Sequence, residues 1–178
     1  MMADWLRDLA SPQASPGAGS AAAIAGAMGV ALLIKLARLS QPQEIAGHRR
    51  LLDRLLAARE RLRELAEADA SALRACMCAR RSAPGAQACQ SALETLVQIP
   101  LQAAELCRTI ALEAQPLLER GHPPARPDGQ AGIQLLAACQ RASCILVRAN
   151  LPLLEDRTSV EATESHLERL SGDENHGR

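Results

Sequence analysis

Apolar residues recur along this chain at helical spacing. Residues 2–10 set Trp5, Leu6 and Leu9 on one side of a short helix. A stretch dense in turn formers follows, Ser11-Pro-Gln-Ala-Ser-Pro-Gly-Ala-Gly19. Ser20, a capping residue type, opens a predicted helix over 20–40 that is apolar on every face, the mark of an element surrounded by protein. Its Ala21, Ala22, Ala23, Gly26, Ala27 and Gly29 let neighbouring backbones approach closely. Gln41-Pro42 breaks the pattern, and a long charged helix is predicted over 43–80. A turn at Ser82-Ala-Pro-Gly85 leads to a helical stretch over 86–120. Pro100 lies in its middle, where the missing N–H and the ring predict a kink. Gly121-His-Pro-Pro124 ends that stretch; Asp128 then begins a helix reaching about 150, and a last amphipathic helix covers 159–170.

These elements predict an all-α, single-domain bundle of five to six helices around a buried Ala/Gly-rich helix. The domain covers 1–171, and the polar tail over 172–178 is expected to be disordered. So thorough a wrapping of one helix in a chain of 178 residues predicts that a second subunit supplies part of it.

Composition sharpens this reading. Phe and Tyr are absent and Trp5 is the only aromatic, so strands lack their usual residues. Twenty basic groups balance 20 acidic ones, without the basic excess and stacking aromatics of a nucleic-acid binder. Nucleic acid is therefore excluded as a partner. The uncharged run over 15–34 raises the question of a membrane span. It opens with Pro16, Gly17 and Gly19, which leaves only about 15 helical residues before Lys35 where about 20 are needed. A core helix and no membrane is the expectation. Asp4, Arg7 and Asp8 interrupt the start, so no signal peptide is expected either. The cysteines (Cys76, Cys78, Cys89, Cys107, Cys139 and Cys144) fall inside helical patterns and the histidines are scattered. That reads as reduced core thiols in a cytoplasmic protein, with no metal site.

Helical phase also reveals polar residues on apolar stripes. Leu55, Leu62, Leu65, Leu73 and Cys76 share one face of the third helix, and Asp69 lies four residues from both Leu65 and Leu73. A carboxylate there is either held by a partner or kept as an acid of raised pKa. Asn150 continues the stripe of Leu135 or Leu136, Cys139, Ser143 and Leu146, and serves either as a C-terminal cap or as a ligand contact. Asp128 suits a helix N-cap, and Lys35, the chain's only lysine, is expected to snorkel beside Arg38. The turn Pro16-Gly17-Ala18-Gly19-Ser20 leads into a helix N-terminus and suits an anion. No strand pattern precedes it and no GKS or GKT follows, so dinucleotide and P-loop sites are excluded.

These positions resemble the cyclodeaminase/cyclohydrolase family of folate enzymes. Trp5-Leu-Arg-Asp-Leu-Ala-Ser11, Pro16-Gly-Ala-Gly-Ser-Ala-Ala-Ala23 and Gly26-Ala-Met-Gly29 are similar to the family's opening, in which a triple glycine precedes the SAAA run. Asp69-Ala-Ser-Ala72, Ile99-Pro100-Leu101, Gly121 with Asp128, and Val147-Arg-Ala-Asn-Leu151 match later family segments in order and spacing. The resemblance implies an all-helical homodimer that binds a tetrahydrofolate derivative near the subunit contact. It implies hydrolysis of a methenyl bridge to the 10-formyl form, or closure of a formimino group with loss of ammonia. With no formiminotransferase segment attached, the cyclohydrolase is preferred. Asp128 and Asp69 are the implied catalytic carboxylates, Asp128 favoured for chemistry and Asp69 for architecture. Asn150 orients the substrate, and Gly17, Ala18, Gly19 and Ser20 receive an anionic or carbonyl group. The folate is substrate, and no tightly bound cofactor is implied.

The chain departs from the pattern at Ala18, which stands for the middle glycine, at Pro127 and Leu146, which replace a Ser and an Asn, and at the loop Leu39-Ser-Gln-Pro-Gln-Glu44, which lacks the usual lysines. Those losses keep open a non-catalytic relative that binds folate, or a helical interaction module.

Overall fold

Among the residues described by the computed structural model, 2–81 and 86–172, helices carry the backbone. They are α1 (Met2–Leu9), α2 (Ala18–Leu39), α3 (His48–Arg81), α4 (Ala86–Glu113), α5 (Gln115–Arg120), α6 (Arg126–Asn150) and α7 (Arg157–Gly172). Single 3-10 turns lie at Pro42–Glu44, Pro123–Ala125 and Leu151–Leu153. The all-α expectation holds. The stretch over 86–120 runs on through Pro100 and divides at Ala114, where Pro116 occupies the first turn of α5. The predicted turn at 82–85 and the tail beyond residue 172 lie outside the described residues.

Helix starts differ from the sequence reading in three places. The N-cap of α2 is Gly17, whose extended backbone leads into Ala18, so Ser20 sits inside the first turn rather than capping it. Helix α6 begins at Arg126, because Pro127 fits a first helical turn that needs no N–H; Asp128 therefore lies inside the first turn and is not the cap. Residues 42–44 form a 3-10 turn, and Gly47 at φ +70° reverses the chain before α3 begins at His48.

Helices α2, α3, α4 and α6 make the bundle, α2 lying between α3 and α6 while α4 closes the far side. Contact between α2 and α6 is backbone-close: a Cβ added to Gly29 would lie 2.6 Å from the Gly132 carbonyl oxygen. Val30, Leu33 and Leu36 of α2 are fully buried, packed in one core with Leu55, Leu62, Ile110 and Leu136. Helix α7 covers a second, smaller core around Val97, Ala104 and Val147. Helix α2, Ala18–Leu39 against the predicted 20–40, has 22 residues and is long and apolar enough to cross a membrane. Its burial against α3 and α6 is what a bundle's central helix shows.

Within one chain the wrapping of α2 is incomplete. Met28 is 52% exposed and Leu39 50%, and Ala31 and Lys35 share the open side. Four cysteines are buried as expected and Cys89 is half-buried against the core, whereas Cys78 is exposed and is not a core filler.

Neighbouring bundle helices run antiparallel. Ser20 meets Asp69 while Ala37 meets His48; Arg61 meets Gln102 while Arg54 meets Glu113; Lys35 meets Asp128. The start of α2, the stretch of α3 near residue 69, Leu96 of α4 and the end of α6 therefore gather at one end of the bundle.

Candidate functional site

Asp69 sits on the α3 stripe that faces α2 and is 7% exposed. Its Oδ2 accepts the backbone N–H of Ser20 at 2.8 Å and lies 3.0 Å from the Ser20 hydroxyl. That hydroxyl is also 2.9 Å from the carbonyl oxygen of Ala66, so its single proton is shared between two acceptors. Ser20 is itself buried, 3% exposed. Burial pushes the Asp69 carboxyl up from its ordinary value, and the Ser20 hydrogen bonds pull it back in part.

Gly19 explains why the turn is glycine-rich. A Cβ at Gly19 would lie 2.0 Å from Asp69 Oδ1, so the carboxylate rests directly on this backbone. The anion at the positive end of α2 is therefore the protein's own carboxylate, brought from α3. Ala18, at the place of the family's middle glycine, is exposed, and its methyl group is accommodated there. Ser15 ties the preceding turn to α3 through the Ala70 carbonyl and the Arg74 guanidinium.

A cleft of about 580 Å³ opens beside this junction. Ser20 and Ile24 of α2, Arg63 and Glu67 of α3 and Trp5 of α1 all line it. Arg63 pairs with Glu60 at 2.6 Å and also with Glu67, which holds both acids along the α3 rim.

The remaining predicted residues divide between the two ends of the bundle. The Asn150 amide nitrogen is 3.4 Å from the Leu96 carbonyl oxygen, linking α6 to α4 at the Asp69 end. Asp128 is at the other end. Its Oδ2 lies 2.6 Å from Lys35 Nζ, and both side chains are partly exposed. Lys35 therefore has a partner and does not simply snorkel. Lys35 lies fifteen residues beyond Ser20 on α2, about 22 Å along the axis. One protomer thus brings Gly17, Ala18, Gly19, Ser20 and Asp69 together, with Asn150 at the same end, and does not bring Asp128 to them. Among the described residues, no group of three or more His, Cys, Asp or Glu side chains is arranged to hold a metal.

Sequence reasoning missed Trp5, Arg63 and Glu67 as cleft residues. Arg63 and Glu67 are four apart on a charged helix, a spacing that reads as a solvated face. Trp5 carried a usable signal, being the only aromatic and lying on an otherwise plain amphipathic helix.

An all-helical bundle with a carboxylate-capped Gly/Ala helix beside an open cleft defines the class of protein. The formiminotransferase-cyclodeaminase family model matches residues 1–169, and the chain belongs to that family. It is 30% identical to methenyltetrahydrofolate cyclohydrolase of Methylorubrum extorquens, across 93% of this chain and 86% of that protein. It is 27% identical to formimidoyltransferase-cyclodeaminase of Rattus norvegicus, across 93% of this chain but only 33% of that longer protein. The crystal structure of formiminotetrahydrofolate cyclodeaminase from Thermotoga maritima has the same fold, with a TM-score of 0.88 at 23% identity over 97% of this chain and 88% of that one.

Proposed function

We propose that this chain is a methenyltetrahydrofolate cyclohydrolase, acting as a homodimer whose active sites are completed across the subunit contact. Family and relatives make it an enzyme of folate one-carbon metabolism. The cyclohydrolase is preferred because that relative is matched over nearly its whole length. The six free cysteines suit the reducing cytoplasm.

The observation that carries the site proposal is the open face of α2, with Ile24, Met28, Ala31 and Lys35 in helical succession. A twofold axis crossing α2 near Met28 lays two copies antiparallel. Ala21 and Lys35 are each seven residues from Met28, about 10 Å in opposite directions. The partner's Lys35 and Asp128 then face the Ser20 end of the first copy, and two half-sites that are separate in one chain become one.

The chemistry asks for such a pair of environments. The methenyl bridge is an amidinium-like cation; water adds to its carbon as a base takes a proton, and the carbon–N5 bond then breaks as N5 gains a proton and the new hydroxyl loses one, leaving the 10-formyl group and one proton released overall. Asp128, partly exposed and held by Lys35, is placed in this scheme as the base. Asp69, buried and committed to Ser20, holds the start of α2 in position. Asn150 and the Ser20 turn orient the substrate.

The test follows the loss of methenyltetrahydrofolate absorbance with wild type, Asp128→Asn and Asp69→Asn. Turnover well above buffer, lost in Asp128→Asn, supports the proposal. A wild-type rate equal to buffer at several substrate levels defeats it, and ammonia release from formiminotetrahydrofolate in its place reassigns the chain to cyclodeamination. Sedimentation as a monomer of 18.9 kDa defeats the dimer.

A further inference from the structure

We infer that the cleft under α1 is the seat of the pterin ring, with Trp5 stacked on the ring face and Glu67 receiving its aminopyrimidinone edge. This assignment rests on the folate-enzyme reading above and adds residues that it does not use. Helix α1 is amphipathic, yet none of its residues is buried; Met2 is 61% exposed and Leu6 54%. A helix whose apolar residues are at most half-buried has surface to give to a ligand. The cleft volume of about 580 Å³ falls inside the range of about 300–1,000 Å³ typical of small-molecule sites.

The walls suit a flat bicyclic ring. Pro16, Ala66 and Ala70 line the cleft together with the Trp5 indole, so small apolar surfaces make up much of its wall. Aromatic faces favour offset stacking, and Trp5 is the one Phe, Tyr or Trp side chain in the sequence. At the rim stands Glu67, 69% exposed at its side chain and steadied by Arg63. A pterin edge offers two neighbouring donors, the 2-amino group and N3–H, and a carboxylate offers two acceptor oxygens at matching spacing. Ser20 and Ile24 of the cleft wall belong to α2, whose open face the proposed dimer covers.

Trp5 makes the test direct, because no other aromatic residue emits. Wild-type fluorescence is titrated with 5-formyltetrahydrofolate, using N-acetyltryptophanamide to correct for absorbance, with p-aminobenzoylglutamate as the ligand lacking a pterin. Calorimetry follows binding by a route independent of Trp5. Saturable quenching by the folate and none by the fragment is expected. Trp5→Leu and Glu67→Gln are each expected to raise KM about tenfold with kcat within about twofold, and Trp5→Phe to recover most of the loss. Trp5 is only half-buried and Glu67 is exposed, so these variants are expected to melt close to wild type. Calorimetric binding and normal turnover with flat Trp5 emission, or an unchanged KM in Trp5→Leu, overturn the subsite and leave the enzyme reading intact. Absence of both folate binding and turnover in wild type overturns both.

Discussion

Replacing Gly19 with Ala sets two effects of opposite sign against each other. Alanine in a helix is favoured over glycine by about 1 kcal/mol, which alone predicts a more stable protein. The new methyl carbon, however, lies 2.0 Å from Oδ1, 2.5 Å from Cγ and 2.7 Å from Oδ2 of Asp69. Asp69 is short and pinned by the Ser20 N–H, so relief requires the carboxylate to swing away from a 2.8 Å hydrogen bond. Losing a charge-assisted bond of this kind costs about 1.5–3 kcal/mol. Strain from overpacking adds about 1–3 kcal/mol. The clash therefore wins, and Gly19→Ala is expected to destabilise by about 1.5–5 kcal/mol net. At about 2–4 °C per kcal/mol for a chain of this size, a central loss of about 3 kcal/mol lowers the melting temperature by about 6–12 °C. Guanidinium unfolding followed by helical circular dichroism measures the change. The double variant Gly19→Ala/Asp69→Ala supplies the control, since without the carboxylate the methyl group has nothing to strike. A coupling energy of about 2 kcal/mol between the two sites is expected. A Gly19→Ala midpoint equal to or above wild type means the carboxylate does not rest on this backbone.

Burial raises the folded-state pKa of Asp69 above its ordinary 3.8, so the native state keeps a proton that the unfolded chain has already released. Stability from this group is complete below that value and is lost as pH rises through the folded pKa. Asp69→Asn should flatten that fall in denaturation series between acid and neutral pH; an unaltered slope would assign it to other groups. Asp128→Asn, by contrast, breaks a partly exposed ion pair and should change stability by no more than about 1 kcal/mol. Its turnover should nevertheless fall about 100-fold or more. Mixing and refolding Asp69→Asn with Asp128→Asn should restore about a quarter of wild-type activity, because half of the dimers then carry one intact site. No recovery would defeat the site shared between subunits.

How much was legible follows from where each signal resides. The helical class, the small-residue helix at the centre and the inward turn of Asp69 came from spacing within a few residues. So did the match to the folate family, which depends on short motifs in order. Helix starts were less legible, because Ser20 and Asp128 are good caps by type while Gly17 and Pro127 set the starts by backbone geometry. The glycine turn was read as a receiver for an anion; the anion came from Asp69, 49 residues away. Lys35 looked like a lone cation because its partner is on another helix. Arg63 and Glu67 resembled any helical charge pair, and nothing near them in sequence announced a cleft.

Helical phase is a local property: 3.6 residues per turn tells which side of its own helix a residue occupies, and the order of amino acids settles that before any packing. Which residue stands opposite depends on how the helices stack, their direction and their depth of approach. Those are collective results of burying many side chains at once. The inward pose of Asp69 thus belongs to α3 alone. Its seat on Gly19, the distance from Ser20 to Asp128 and the cleft beneath Trp5 belong to the assembled bundle.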